Sequence, residues 1–300
     1  MDIRELDLSA YSADKPDTTV HLLFIHHSVG GQLMASPGRA NGEFGILRTH
    51  PNGGGLRALL GQNNYVVHEA AYGSKIGAET DVCHWNRKFR SHMSRILATR
   101  HQDVLFSDGA FNRVVMFQSG PSSSWIDAEG REPGDPDSRE KTIANYKAAY
   151  RSMLQYFMRE RETLFVAVTA PPLVKPEPVQ GLMGRILRRP DQAVVDEAGK
   201  RIRSFNNWLK NFSAGWLSDY PLKNVVVFDY FHILTAYGVS NWLRYPSGEG
   251  GDGHPNSRGN TEAARTFIPF INRALNRMTE QASPLSVGRH GAFASKVSAR

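Results

Sequence analysis

The stretch that decides the reading is HLLFIHHSVGG, residues 21–31. Four consecutive apolar residues, Leu22 to Ile25, run into two histidines, a serine and two glycines. A continuous apolar run of this length, bounded by glycine, is the pattern of a strand buried on both faces, as in a parallel sheet. Such a strand ordinarily ends in a chemically inert turn. This one ends in groups that attack carbonyls, accept protons or bind metal.

Working outward, four further strands are expected: YVVHEAAYG (65–73), NRVVMFQSG (112–120), TLFVAVTAPP (163–172) and KNVVVFDYFHIL (223–234). Segments of helical periodicity separate them. GLRALLGQNN (55–64) reads as a short helix closed by glycine and asparagine. Val82, Trp85, Phe89, Met93 and Ile96 share one face of 81–100, and Ile143, Tyr146, Tyr150, Met153, Leu154 and Phe157 one face of 141–161. Ile202, Phe205, Trp208, Leu209, Phe212 and Trp216 mark a helix over 198–217, and TEAARTFIPFINRALNRM (261–278) a last one. Strand alternating with helix five times predicts a three-layer α/β/α sandwich around a five-stranded parallel, flavodoxin-like sheet. The Gly-rich stretch 31–55 reads as loop. Residues 1–18 read as an N-terminal arm, 19–279 as one domain and 280–300 as a basic tail. The Pro- and Gly-bearing excursion 173–200 reads as a lid.

Composition is that of an ordinary globular chain: 300 residues, 40% hydrophobic and 22% charged. The single cysteine, Cys83, excludes an internal disulfide and a Cys-rich zinc site. The polar start lacks the apolar core of a secretion signal, and no apolar run reaches membrane-spanning length. The expectation is a soluble, cytoplasmic protein with no membrane partner. The formal charge of +7 comes from scattered Lys and Arg with no nucleic-acid motif, so no nucleic-acid partner is expected. The sequence leaves the oligomeric state open.

In open parallel sheets, ligands sit at the carboxyl ends of the strands. That rule gathers His26, His27 and Ser28 after the first strand, Tyr72, Gly73 and Gly77 after the second, and Gln118, Ser119 and Ser122 to Ser124 after the third. Asp229 follows the fifth, and Asp252 and His254 stand before the last helix. A serine hydroxyl needs a base to take its proton, the base needs an acid to hold its tautomer, and the developing oxyanion needs N–H donors. Ser28, His254 and Asp252 fit the first three roles, with Asp229 as the alternative acid. The N–H groups of Ser28 and of Gly77 or Gly73, with the amide of Gln118, fit the fourth. His26, His27, Gly73, Ser119 and Ser122 would shape the substrate pocket. Trp242, in the aromatic loop SNWLRYPSG (240–248) with Tyr245, would offer a stacking surface. A competing use of His26, His27, Asp252 and His254 is as ligands of Zn or Mn.

HHS at 26–28 and DGHPN at 252–256 together resemble the SGNH (GDSL-type) hydrolases, in the form of a divergent branch with HHS in place of GDS and Asp-x-His-Pro near the C-terminus. FNNWL, KNVVVFDYFHILT and GNTEAARTFIPFIN add to the likeness, which spans roughly 20–276. The resemblance implies a serine esterase or O-deacetylase that works through an acyl-enzyme, without cofactor or metal, on a small or carbohydrate ester. It implies Ser28 as nucleophile, His254 as base, Asp252 as acid and Gly77 as oxyanion glycine. Two departures stand out. The usual G-x-N-D block is absent, so Gln118 or a serine of 122–124 would replace its asparagine, and His27 occupies the place of the usual aspartate. An acyltransferase with the same triad, or a binding module that kept only the fold, are the other readings.

Overall fold

A computed structural model of the chain describes residues 5–176, 191–248 and 253–282. The opening stretch forms β1 (Val20–Ile25) and runs into α1 (Ser28–Met34). Then come β2 (Ser36–Pro37), β3 (Asn41–Glu43), β4 (Ile46–His50), α2 (Leu56–Gln62) and β5 (Tyr65–Ala70). α3 (Val82–Ala98), β6 (Thr99–His101), β7 (Val104–Leu105), β8 (Val114–Gln118), α4 (Ile143–Phe157) and β9 (Leu164–Val168) follow. The chain continues through α5 (Gln192–Lys210), β10 (Val225–Phe228), α6 (Tyr230–Leu234) and α7 (Ser257–Ala282).

The five expected strands form the parallel centre of the sheet in the order β10-β9-β8-β1-β5. This is the doubly wound order in which the chain reverses direction beside the first strand. The sheet has seven strands rather than five, because β6 and β7 extend it beyond β5. They form a short antiparallel pair turning at Gln102, whose φ is +51°.

The apolar pattern of β1 explains the layers. Leu22 and Phe24 join a core with α1, α2 and α7, through Leu33, Leu60 and Phe267. Leu23 and Ile25 join the opposite core with α3, α4 and α5, through Phe89, Phe157 and Phe205. Both faces are covered, so the strand carries no polar side. Burial at about 25 cal/mol per Å² of apolar surface makes these two cores the main favourable contribution to folding.

Several boundaries differ from the sequence expectation. Residues 31–55 are not all loop: they hold most of α1 and a separate three-stranded sheet in the order β2-β4-β3. The helix expected to begin at 198 starts at Gln192, with the Asp191 carboxylate accepting from the N–H of Val194. It stops at Lys210, where the Asn211 side chain accepts from the N–H groups of Ser213 and Ala214. Of the excursion 173–200, residues 192–200 are therefore helix, and 177–190 lie outside the described residues. So do residues 283–300 of the expected tail. The N-terminal arm is tied down: Asn64, Asn272 and Asn276 donate to carbonyls of Pro16, Ala13 and Ser12. No helix among the described residues is long and apolar enough to cross a membrane.

The small sheet is seated against α1 at a glycine. A Cβ on Gly31 would lie 2.0 Å from the carbonyl oxygen of Gly45, far inside contact distance. Gly31→Ala should therefore lose about 1–3 kcal/mol in urea unfolding, although alanine is the better helix former by about 1 kcal/mol. A variant as stable as wild type would show that this sheet is not packed on α1.

Candidate active site

β1 ends on the shared rim with the other parallel strands, and the chain enters α1 within two residues. His27 is still extended (φ −119°, ψ −158°) and Ser28 is already helical. The Ser28 hydroxyl is thereby presented at the turn, and its N–H is one of those in a first helical turn that have no partner within the helix. The Nε2 of His254 lies 2.7 Å from Ser28 Oγ, across 226 residues of sequence.

His254 is held by the loop that leads into α7. Pro246 and Pro255 form an antiparallel bridge, and the N–H of Ser247 donates to the His254 carbonyl at 3.1 Å. Asn256 then accepts from the N–H of Gly259 at the start of the helix. Asn260, fully buried, donates to the carbonyls of Asn52 at 2.7 Å and Pro255 at 3.3 Å, and accepts from the Tyr230 hydroxyl at 2.6 Å. The Asn52 segment is in turn pressed on α1: a Cβ on Gly54 would lie 2.8 Å from the carbonyls of both Leu33 and Asn260. The glycines of PNGGG thus let the helix that carries Ser28 and the helix that follows His254 approach through one strip of backbone.

The two histidines of HHS are both committed to protein partners. His26 is fully buried, with Nδ1 at 2.7 Å from the His27 carbonyl and Nε2 at 3.0 Å from the Glu69 carboxylate. Arg57 donates to the other Glu69 oxygen through Nε at 2.9 Å and a terminal nitrogen at 2.5 Å, and to the Leu47 carbonyl at 2.8 Å. Burial works against the Glu69 charge, but the hydrogen bond and charge of His26 and the charge of Arg57 outweigh it. They hold the carboxyl below its ordinary range. The His27 Nε2 donates to the Gly77 carbonyl at 2.8 Å and its Nδ1 accepts from Thr80 at 3.1 Å. Its ring stacks on Tyr72 with centroids 3.8 Å apart. Burial lowers its pKa, which fits this neutral tautomer. With both nitrogens of each ring spent on protein groups, this pair offers no imidazole lone pair to an ion, which corrects the reading of His26 and His27 as metal ligands.

His27 therefore pins the loop after β5. Within that loop Gly77 donates its N–H to Ser74 Oγ at 2.9 Å, so this N–H is engaged rather than aimed at an oxyanion. Gly73 is exposed, with φ +83°, and faces Phe44. Lys88, buried on α3, donates to the carbonyls of Ile76 and Glu79 and lies 4.7 Å from the Trp85 ring centre. At the tip of β8, Gln118 is buried, and its Nε2 has no partner among the described residues. The register pairs Phe117 with Ile25, which puts Gln118 level with His26 on the neighbouring strand.

Other expected site residues have structural employment. Ser119 Oγ accepts from the Trp85 indole at 2.8 Å. Ser122 and Ser123 donate to Asp81, and Ser124 donates to the Pro171 carbonyl. Trp242 is buried among Val195, Ala198, Trp125 and Leu173, with Gly199 closed against its ring, so it presents no face to a substrate. Asp229 caps α6 by accepting from the N–H of His232 and pairs with Lys210 at 2.8 Å. Asp252 lies outside the described residues. Glu69, Arg57, Thr80 and Lys88 were not singled out from the sequence. Glu69 carried a usable signal, being a carboxylate inside a core strand, where acidic residues are rarely buried unless paired.

No family model and no curated protein match the sequence. Among solved structures, the chain is similar to a carbohydrate esterase family 2 enzyme with a carbohydrate-binding domain from Corynascus thermopiles (Myceliophthora fergusii). The identity is 14%, over 87% of this chain and 67% of that one, with a TM-score of 0.38. It is similar to a catalytic mutant of an acetylxylan esterase from Geobacillus stearothermophilus at 14% identity, 87% and 96% coverage and a TM-score of 0.38. A GDSL-like lipase from Parabacteroides merdae gives 13% identity, 87% and 99% coverage and a TM-score of 0.40. The functional reading rests on the site's own geometry.

Burial lowers the Lys88 pKa from its ordinary 10.5 to about 7. Between those values the unfolded chain binds more protons at this position than the folded one, so stability rises with pH. Relative to Lys88→Met, wild type should gain up to about 1.4 kcal/mol per pH unit between pH 7 and 9 in chemical unfolding. A stability difference that does not change with pH would contradict this.

Proposed function

We propose that this protein is a serine-dependent ester hydrolase that works through an acyl-enzyme. The observation that carries the reading is the 2.7 Å contact between Ser28 Oγ and His254 Nε2, on the rim where parallel sheets bind ligands. A serine and an imidazole at this distance have one economical use in chemistry. The imidazole accepts the hydroxyl proton as the oxygen attacks a carbonyl carbon.

In the acylation step Ser28 Oγ bonds to the carbonyl carbon, and its proton passes to His254 Nε2. The carbonyl oxygen becomes an oxyanion beside the N–H of Ser28, with the Gln118 amide, whose Nε2 has no partner among the described residues, as a second donor. Collapse breaks the carbon–alkoxide bond, and the leaving alcohol takes the proton from His254. Water then gives a proton to the same imidazole as it attacks the acyl-serine; collapse breaks the bond from carbonyl carbon to Ser28 Oγ, the carboxylic acid leaves and His254 returns the proton to Oγ. Asp252, two residues before His254, is the proposed acid that orients the ring. Gly77 is dropped as oxyanion donor because Ser74 holds its N–H. The resemblance of the end motifs to those of SGNH hydrolases makes small acyl esters, and O-acetylated sugars among them, the substrate class of this proposal. An alcohol in place of water would make the same machinery an acyltransferase.

A fluorophosphonate probe should label the wild-type protein and fail to label folded Ser28→Ala. His254→Ala should lower hydrolysis of a p-nitrophenyl ester by about 10²–10⁴-fold, with no effect of chelator on wild type. Labelling retained in Ser28→Ala, or activity lost to chelator alone, would overturn the proposal.

A further inference from the structure

The arrangement beneath Ser28 contains more charge than a structural turn requires. Both ring nitrogens of His26 face groups that only accept: the His27 carbonyl at 2.7 Å and the Glu69 carboxylate at 3.0 Å. A neutral imidazole has one N–H and cannot satisfy both. Arg57 binds the second Glu69 oxygen through two nitrogens, so both oxygens of this carboxylate face donors. The hydrogen-bond count is met when His26 carries a proton on each nitrogen. Arg57, Glu69 and His26 then sum to one net positive charge, with the His26 end fully buried.

We infer that His26 is a positioning residue: a buried imidazolium, held charged by Glu69, that polarises the His27–Ser28 peptide and thereby strengthens the Ser28 N–H as an oxyanion donor. This rests on the serine-hydrolase reading above. The connection is a single peptide unit. Its carbonyl accepts from His26 Nδ1 at 2.7 Å and also from the Gly31 N–H at 3.0 Å, and its N–H is the one at the nucleophile. Hydrogen bonds in series polarise one another in a low-dielectric interior, and a charged donor polarises more than a neutral one.

One further observation points the same way. The turn is packed closely on His26: a Cβ on Gly30 would lie 2.5 Å from the His26 Cβ, 2.7 Å from Cγ and 3.0 Å from Nδ1, which accounts for the glycine at position 30. The N–H that the ring supports lies in a site without the asparagine that SGNH hydrolases ordinarily supply.

Glu69→Gln separates position from charge. The Gln amide can donate to His26 Nε2 while His26 Nδ1 still donates to the His27 carbonyl, so the bonds remain and the ring loses its charge. With a p-nitrophenyl ester, kcat should fall about tenfold or more while KM is unchanged, and His26→Phe should fall at least as far. Nitrogen-15 NMR of the wild-type histidine rings at neutral pH should show two ring N–H protons on His26, and one in Glu69→Gln. A wild-type kcat in Glu69→Gln, or a single ring proton on His26 in wild type, would overturn the inference. The NMR result does not depend on activity. A His26 ring with two protons in a protein that fails to react with fluorophosphonate would therefore refute the hydrolase reading and leave the charged ring standing.

Discussion

The Glu69 carboxylate, buried between Arg57 and His26, is the interaction on which the site depends. Glu69 belongs to β5, Arg57 to α2 and His26 to the tip of β1, so one cluster joins three elements beneath the turn that carries Ser28. Arg57 extends it to the small sheet through the Leu47 carbonyl. Such a cluster is costly to form and costliest to break at Glu69, whose loss would leave Arg57 and His26 without their shared acceptor in the interior. It also gives the Ser28 turn a fixed foundation. A parallel strand must end somewhere, and here the residue that follows it, His26, is bonded to the neighbouring strand through the Glu69 carboxylate rather than released into a loop.

The second requirement is to bring residue 254 to residue 28. That rests on polar side chains and glycines rather than on the hydrophobic core. Asn260 reaches both the His254 loop and the Asn52 carbonyl, and Gly54 admits the backbones of α1 and α7 to close contact. The loop after β5 is held from both sides, by His27 on Gly77 and by Lys88 on Ile76 and Glu79. The rim is thus assembled from hydrogen-bonded clamps on a scaffold whose stability comes from elsewhere, the ordinary division of labour in α/β folds.

How much of this is legible in the sequence depends on the kind of signal. β1, β8, β9 and β10 are visible because burial on both faces writes them as apolar runs such as LLFI and VVVF, and β5 because YVV opens it before His68 and Glu69. β6 and β7 are not, since Thr99–His101 and Val104–Leu105 are short, exposed in part and share a hairpin with no glycine. The small sheet at 36–50 hides because its strands are two to five residues long and interrupted by turns at Gly38 and Gly45. The pairing of Ser28 with His254 is legible because the doubly wound topology sends the first strand's end and the last loop to one rim. Trp242 misleads: an aromatic residue in a polar loop reads as exposed, and only the contacts with Trp125, Leu173 and Gly199 show it closed in. Gly77 misleads for another reason, since no spacing rule shows that Ser74 takes its N–H.

The most direct test of the central claim is to catch the covalent intermediate. Wild-type protein would be mixed briefly with p-nitrophenyl acetate, quenched in acid, digested and read by mass spectrometry. One acetyl group on the peptide that contains Ser28, placed on that serine by fragmentation and absent after longer incubation, is the result the account predicts. Release of nitrophenol with no acetyl at Ser28, or with the acetyl on another residue, would contradict it.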